Sequence, residues 1–188
     1  NGLRPIVEFM TWNFAMQAID HIINSAAKTF YMSGGKINIP IVFRGPNGIA
    51  SRVAAQHSQD YSSWYSHIPG LKVLSPYDVT DASGLLKAAI KDNNPVIFLE
   101  HELLYNEKFV LDNNEEIIAI GKAKVMKKGS DITIISYSRG LEIAIETGKI
   151  LAQENIDAEI LNLRTLKPID KETIINSVKK TNKVVVIE

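Results

Sequence analysis

The feature that most constrains the fold of this chain is its alternation of short apolar runs with segments of helical periodicity. Short runs rich in Val, Ile and Leu are typical of buried strands, and apolar residues recurring every three or four positions are typical of one helix face. The predicted strands are 5–9, 37–43, 72–74, 96–99, 121–126, 132–136, 158–163 and 183–187, and the predicted helices are 12–28, 79–90, 141–154 and 171–180. This order predicts an α/β fold of three layers, with helices on both faces of a mostly parallel sheet.

The alternation stops once, between residues 101 and 120, where charged residues and the sequence Asp112-Asn113-Asn114 interrupt the apolar pattern. Turn-forming residues in such a stretch are typical of a connection between domains. We therefore predict a first domain over residues 1–113, a linker over 114–120 and a second domain over 121–188. The chain opens directly into a predicted strand and closes on another, so we expect both domains to be parts of larger ones.

The composition excludes several classes of protein. Lys and Arg equal Asp and Glu at 21 each, and no cysteine is present. A chain without net charge has no overall field to attract nucleic acid or an anionic membrane, so we expect neither as a partner. Without cysteine the chain forms no disulfide and no thiolate metal site. No apolar run approaches the roughly 20 residues that cross a bilayer.

Residues 44–70, RGPNGIASRVAAQHSQDYSSWYSHIPG, differ from the rest of the chain because they contain two of its four histidines, a tryptophan and two tyrosines. His57 follows a glycine-rich turn at the carboxyl end of a predicted strand, where open α/β sheets bind ligands. Histidine titrates near neutral pH, so His57 is the best candidate for a general acid or base. A histidine between polar residues on a helix can equally be a hydrogen-bonded interface residue, and both interpretations remain open.

The first predicted helix carries a second candidate. Phe14, Gln17 and His21 stand at positions i, i+3 and i+7 and share one stripe. An aromatic ring beside an amide can hold a heteroaromatic ligand by stacking and hydrogen bonding. The pattern alone is more typical of a helix flank with an exposed glutamine.

Two glycine-containing sequences match no catalytic motif. Gly45-Pro46-Asn47-Gly48 is neither a Walker loop nor a dinucleotide fingerprint, and SYSRG at 136–140 is not a nucleophile elbow. We predict that both are turns. A phosphate-bearing cofactor would then need its anchor elsewhere.

The helix that ends at Ala89-Ile90-Lys91-Asp92-Asn93-Asn94-Pro95 leaves free carbonyls beside one carboxylate and two amides. Such oxygens at the negative end of a helix dipole can bind a hard cation, although an ordinary helix terminus is the default interpretation. No spacing of His, Asp and Glu predicts a zinc or di-iron site.

Four long stretches resemble a known family. In order they are EFMTWNFAMQAIDHIINSAAKTFYMSGG, IVFRGPNG, AAQHSQDYSSWYSHIPGLKVLSPYD and AAIKDNNPVIFLE. They are similar to the beta subunits of the decarboxylating component of the pyruvate dehydrogenase complex, and the similarity covers essentially the whole chain. Beta subunits of branched-chain 2-oxoacid dehydrogenases are similar in fold, but the FRGPNG and AAQHSQ sequences are closer to the pyruvate type.

The resemblance implies a thiamine diphosphate enzyme of alpha and beta chains, an α2β2 heterotetramer that decarboxylates pyruvate and acetylates a lipoyl group of the acyltransferase core. It implies a pyrimidine-binding domain over most of 1–113 and the start of a transketolase C-terminal-type domain from 121. By position, Phe14 and Gln17 would line the aminopyrimidine pocket, and His57 would face the thiazolium ring as the catalytic residue.

The same resemblance implies a structural potassium site at the end of the predicted helix 79–90. Its ligands would be the main-chain carbonyls of Ile41, Ala89 and Ile90 together with Asp92 and Asn94. The activating glutamate of the family would precede Asn1, and the alpha subunit would hold magnesium and the diphosphate, so this chain alone is expected to be inactive. The implied compartment is the bacterial cytoplasm, or the mitochondrial matrix in a eukaryote.

Other functions remain as alternatives. The chain can be a branched-chain 2-oxoacid dehydrogenase beta subunit, or a non-catalytic assembly subunit that completes a partner's site. A free hydrolase or nucleotide-binding domain is disfavoured because the nucleophile elbow and the phosphate loop are missing.

Overall fold

The computed structural model describes residues 2–50, 52–110 and 117–188. Its α-helices are α1 (Ala27–Met32), α2 (Ser62–His67), α3 (Val79–Lys91), α4 (Gly140–Gln153) and α5 (Lys171–Thr181). Its strands are β1 (Ile6–Glu8), β2 (Val42–Asn47), β3 (Lys72–Leu74), β4 (Val96–His101), β5 (Lys124–Lys127), β6 (Ile132–Ser136), β7 (Ala158–Asn162), β8 (Thr165–Lys167) and β9 (Val184–Val186).

In the described part of the chain the strands form two sheets. The first has the order β1-β2-β4-β3-β8, in which the first four strands are parallel and β8 is antiparallel to β3. The second has the order β5-β7-β6-β9, with only β5 antiparallel. The predicted α/β fold with mostly parallel strands is therefore confirmed.

The first sheet separates two apolar cores, because successive side chains of a strand point to opposite faces. One face packs Phe43, Ile97 and Leu99 against the segment that follows β1 and against α2, through Trp12 and Tyr65. The opposite face packs Val42, Val96, Phe98 and Leu74 against Leu85 and Ala89 of α3. This arrangement gives the three layers that the alternation predicts.

The segment after β1 is helical from Trp12 to Met32, but its geometry changes along its length. It has 3-10 geometry over Trp12–Ala18, π geometry over His21–Ala26 and α geometry in α1. Thr11 caps its start, since the Thr11 hydroxyl accepts a hydrogen bond of 3.3 Å from the Asn13 N–H. The predicted helix at 12–28 is thus helical, but it is not a uniform α-helix.

The prediction of a turn at 45–48 is wrong for its first three residues. β2 continues through Pro46 to Asn47, because Gly45, Pro46 and Asn47 pair in register with Leu99, Glu100 and His101. β1 pairs only with Val42–Arg44, so Pro46 lies beyond the β1 pairing. Strand positions with one neighbouring strand tolerate proline, since the missing N–H then leaves no gap in a second ladder.

Two elements have no counterpart in the predicted order. α2 contains only six residues, of which Ser62 and Tyr65 are buried. A helix of this length is too short to show helical periodicity in the sequence. β8 contains three residues, and its place is decided by pairing with β3, which lies far away in sequence. The predicted domain boundaries stay a prediction, since residues 114–116 of the linker lie outside the described residues.

A buried ion pair joins the two sheets. Arg164, between β7 and β8, donates from Nε to Asp81 Oδ1 of α3 at 2.6 Å. Asn162 donates to the second oxygen of the same carboxylate at 2.8 Å, and all three side chains are buried. Burial raises the pKa of the Asp81 carboxyl, and the Arg164 charge opposes that change. The carboxylate is therefore held in place by groups from the second half of the chain.

None of the helices in the described residues combines the length and the apolarity that a membrane span requires.

We expect Asp81→Ala to lower the free energy of unfolding by about 3–5 kcal/mol, because it leaves the Arg164 guanidinium buried without its carboxylate. Urea denaturation of the chain measures this change. The control is Glu146→Ala, which breaks the exposed Glu146–Lys149 pair and should change stability by no more than about 0.5 kcal/mol. Equal effects of the two substitutions would contradict the role given to Asp81.

Candidate functional site

His57 lies at the carboxyl edge of the first sheet. It ends a single 3-10 turn, Ala55–His57, in the connection between β2 and α2, and it is partly exposed. The prediction that His57 follows the carboxyl end of a strand is confirmed, since this turn comes after β2. His57 lies in a short turn and not on a longer helix. Connections at the carboxyl ends of parallel strands are the usual place for ligand sites in α/β folds.

Phe14 and His57 contact each other across this edge. Their ring centroids are 5.1 Å apart and their planes are inclined by 86°, which is an edge-to-face arrangement. Phe14 keeps 45% of its surface exposed. The fold therefore brings together two residues that the sequence places 43 positions apart, and Phe14 stays partly exposed beside an imidazole.

Gln17 and His21 are both exposed. Gln17 follows Phe14 by three residues within the 3-10 part, and side chains at that spacing eclipse each other in 3-10 geometry. Gln17 therefore extends the face that carries Phe14. His21 stands at the first residue of the π-helical part, where the geometry has already changed.

The turn that carries His57 contains a strained residue. Ala54 has φ 63° and ψ −162°, a combination that is almost restricted to glycine. Its carbonyl accepts hydrogen bonds from the His57 N–H at 3.2 Å and from the Ser58 hydroxyl at 2.8 Å. The strained conformation is thus part of the structure that presents His57.

Asn47, at the end of β2, anchors the residues that follow this turn. Its Oδ1 accepts from the Tyr61 N–H at 2.9 Å, and its Nδ2 donates to Asp60 at 2.9 Å. The Gly48 N–H donates to the Gln59 carbonyl at 3.0 Å. The sequence indicated a turn here but not this supporting role, since hydrogen-bond partners 13 and 14 residues away leave no local pattern.

A charged cluster not predicted from the sequence lies beside the ends of β2 and β4. Arg44 donates to both oxygens of Glu100, at 2.6 and 2.8 Å, and to Glu8 at 2.6 Å. Tyr105 donates to Glu100 at 2.6 Å, and burial together with that carboxylate raises the Tyr105 pKa. Arg44, Glu100 and Tyr105 line a cavity of about 320 Å³. Their charges are paired, so they supply no obvious proton donor or acceptor.

Two further side chains, His101 at the end of β4 and Tyr65 of α2, are held neutral. Burial and the nearby Arg139 lower the pKa of His101, whose Nδ1 accepts a hydrogen bond from the Leu103 N–H at 3.3 Å. The proton of neutral His101 is therefore on Nε2. Burial raises the pKa of Tyr65 to about 12, so its hydroxyl stays protonated.

The predicted cation ligands gather where α3 ends beside β4. The Ile41 carbonyl accepts from the Val96 N–H at 2.9 Å, and the Ala89 carbonyl accepts from the Asp92 N–H at 3.2 Å. Asp92 Oδ1 accepts two hydrogen bonds of 2.8 Å from Asn94. Backbone carbonyls and a carboxylate are donors of the kind that a hard cation prefers.

Two cations of the protein already contact this group of oxygens. Arg4 donates to the Ile90 carbonyl at 3.1 Å and to the Asp92 carbonyl at 2.8 Å, and Lys72 donates to Asp92 Oδ2. Burial acts to raise the pKa of Asp92, but the bonds from Lys72 and Asn94 outweigh it and lower that pKa. The donor set therefore suits potassium in chemistry, while a bound ion would share its ligands with Arg4 and Lys72.

Zinc and di-iron sites need a cluster of ligating side chains. The described residues contain no group of three or more His, Asp or Glu residues that could hold a metal ion.

Comparison with known proteins identifies two domain families. The family of the transketolase pyrimidine-binding domain matches residues 1–108, and the family of the transketolase C-terminal domain matches residues 121–188. A split-gene transketolase, described as an inactive beta4 tetramer, is 23% identical with a TM-score of 0.83 and covers 98% of this chain and 56% of its own. A Pichia stipitis transketolase mutant is 16% identical with a TM-score of 0.72, over 98% of this chain and 27% of its own. These structures confirm the fold.

The chain is also similar to curated relatives at much higher identity. It is 61% identical over 187 residues to the pyruvate dehydrogenase E1 component subunit beta of Rickettsia bellii, covering 100% of this chain and 58% of the relative. It is 59% identical over 191 residues to the mitochondrial subunit of that name from Drosophila melanogaster, covering 100% of this chain and 52% of the relative. The chain thus spans a little more than half the length of these relatives. Because the pyrimidine-binding family alone matches more than half of its residues, the chain belongs to the transketolase family, with a pyrimidine-binding domain followed by a transketolase C-terminal domain.

Proposed function

We propose that the chain is a beta subunit of a pyruvate dehydrogenase. In this role it acts with an alpha chain in the decarboxylation of pyruvate and the transfer of the acetyl group to a lipoyl group. The identity of 61% to the Rickettsia bellii subunit supports this choice of substrate. The observation that carries the proposal is the contact between Phe14 and His57, because an imidazole beside a partly exposed aromatic ring supports a site for proton transfer next to a heteroaromatic cofactor.

The described residues of this site fit the aminopyrimidine of thiamine diphosphate. The half-exposed ring of Phe14 offers a face on which a heteroaromatic ring can pack, and the exposed amide of Gln17 offers both a donor and an acceptor. When bound, thiamine diphosphate supplies an electron sink for the carbanion that remains after carbon dioxide leaves. Phe14 and Gln17 would hold and orient the cofactor.

His57 would hold or donate a proton beside the substrate carbon. A positioned histidine contributes typically 10²- to 10⁴-fold to such a step. The edge-to-face contact with Phe14 restricts the rotation of the His57 ring, so it limits the directions in which the imidazole nitrogens point. Positioning of this kind is a large part of what a protein adds to a cofactor's chemistry.

An alpha subunit is the proposed partner at this edge. Large apolar side chains are exposed on both segments that form the site, namely Met10, Phe14 and Met16 on one and Ile49 and Val53 on the other. Exposed apolar groups that lie close together are typical of protein interfaces. A partner that covered them would also exclude water, which favours loss of the charged carboxylate of pyruvate. We assign magnesium and the diphosphate to that partner in an α2β2 heterotetramer.

The acyltransferase core of the complex is the second proposed partner, since it carries the lipoyl group that accepts the acetyl unit. The relatives include a bacterial subunit and subunits named as mitochondrial. We therefore place this chain in the bacterial cytoplasm or in the mitochondrial matrix.

We expect His57→Ala to lower the turnover of the full-length beta chain, assembled with its alpha partner, by about 10²- to 10⁴-fold. The assay measures carbon dioxide release and lipoyl acetylation with thiamine diphosphate, magnesium and pyruvate. The control is His67→Ala, which removes an exposed histidine at the end of α2 and should leave turnover unchanged. Full activity of His57→Ala in both assays would remove His57 from the mechanism and would favour an assembly role for the chain.

We expect Gln17→Leu to weaken thiamine diphosphate binding by about 2- to 10-fold, because it removes one hydrogen-bonding amide and keeps a similar volume. Titration calorimetry of the same assembly measures the dissociation constant without relying on turnover. An unchanged constant would show that Gln17 does not contact the cofactor.

We also propose that potassium binds Ile41, Ala89, Ile90, Asp92 and Asn94. Replacing potassium by choline at equal ionic strength should then lower the thermal unfolding midpoint, since a ligand at 100 times its dissociation constant stabilises by about 2.7 kcal/mol. The midpoint of Asp92→Asn should not respond to this exchange, whereas Asp157→Asn, at an exposed ion pair, should respond as the unchanged protein does. Equal midpoints of the unchanged protein in both salts would exclude the site.

A further inference from the structure

We propose that Asn13 is a positioning residue for His57, acting through the backbone of Gln59. This inference rests on the proposed role of His57 in catalysis. Asn13 directly precedes Phe14, and Gln59 follows His57 by two residues. One buried side chain therefore connects the two segments whose rings form the candidate site.

The connection is a hydrogen bond of 3.1 Å from the Gln59 N–H to Asn13 Oδ1. Asn13 is only 2% exposed, although its neighbour Phe14 is half-exposed. Its Nδ2 donates to the Thr11 hydroxyl at 2.7 Å, which fixes the orientation of the amide. Because the nitrogen is held by Thr11, the oxygen must face Gln59.

The turn that carries His57 needs support from outside. It consists of three residues after the strained Ala54, and residues 52–56 are exposed. The bond between Ser58 and Ala54 holds only the turn itself. The Gln59 backbone is held on both sides, by Asn13 at its N–H and by the Gly48 N–H at its carbonyl. Asn47 acts further along the chain, at Asp60 and Tyr61.

Gly48 and Asn13 hold Gln59 against different elements, namely the end of β2 and the helical segment after β1. The bond to Asn13 ties the Gln59 backbone to the segment that carries Phe14. The bond between Gln59 and Asn13 is only part-buried, so water can serve as the acceptor for the Gln59 N–H when Asn13 is replaced. Loss of Asn13 should therefore affect the position of His57 relative to Phe14 more than it affects folding. A displacement of about 1 Å can lower a rate 10²-fold.

The test substitutes Asn13→Leu, which has a similar volume and no hydrogen-bonding group, in the full-length beta chain assembled with its alpha partner. We expect kcat for lipoyl acetylation to fall about 10- to 100-fold. The same substitution in the His57→Ala background should cause no further fall, because the residue through which Asn13 acts is already gone. A general structural defect would lower kcat by the same factor in both backgrounds, and that result would overturn the proposal.

Two matched variants separate positioning from folding. Thr29→Val removes a hydroxyl of the same helical segment, which donates to the Ser25 carbonyl at 2.6 Å, and leaves Asn13 and its partners in place, so it should keep kcat within about 3-fold. Asn13→Asp keeps an oxygen for the Gln59 N–H and should restore most of the activity that Asn13→Leu loses. If Asn13→Leu fails to assemble, Asn13→Ser withdraws the acceptor with a smaller change and undergoes the same comparison.

The outcomes also separate this inference from the proposed function. Full activity of His57→Ala would remove the proposed catalytic role and this inference with it. A large loss in His57→Ala with unchanged kcat in Asn13→Leu would overturn this inference alone. Failure of Asn13→Asp to recover activity above that of Asn13→Leu would likewise contradict positioning through the Gln59 N–H.

Discussion

The parallel pairing of β2 with β4 is the interaction on which the rest of the structure depends. Six residue pairs from Val42↔Val96 to Asn47↔His101 satisfy the backbone of both strands at the centre of the first sheet. Alternate residues of the same two strands supply both apolar cores, with Phe43 and Ile97 on one face and Val42 and Phe98 on the other. Backbone groups lose their water partners when they are buried, and this ladder replaces those partners where both faces of the sheet are covered.

The candidate site follows from that pairing. Because the strands are parallel, their carboxyl ends reach one edge together, and the connection after β2 must leave the sheet there. Asn47 and Gly48 hold this connection at the edge, and Asn13 ties it to the segment after β1. The rings of Phe14 and His57 meet as a result. Polar groups in buried positions thus decide where two exposed rings lie.

The two sheets are joined by a different kind of contact. β8 follows β7 of the second sheet in sequence but pairs with β3 of the first sheet. Arg164 forms an ion pair with the buried carboxylate of Asp81. A buried ion pair is weak evidence for added stability, since both groups lose their hydration. It does favour this arrangement, because Arg164 and Asn162 from the second half of the chain both bind the Asp81 carboxylate. Asp81 thereby fixes the first sheet relative to the second half of the chain.

The sequence by itself determined the elements that have strong local patterns. The strand at 96–99 and the helix that Asp78 caps were predicted close to their observed limits, since burial on both faces and a capping side chain are visible locally. Helical spacing and the place after a glycine-rich turn supplied the candidate residues Phe14, Gln17 and His57, and the resemblance of long stretches supplied their expected roles. Only the tertiary structure decided that β2 continues through Pro46, that β8 joins the first sheet and that Asn13 supports Gln59. Each of these depends on hydrogen bonds between residues far apart in sequence, and the entropic cost of closing the loop between such residues is offset by contacts that no local pattern records.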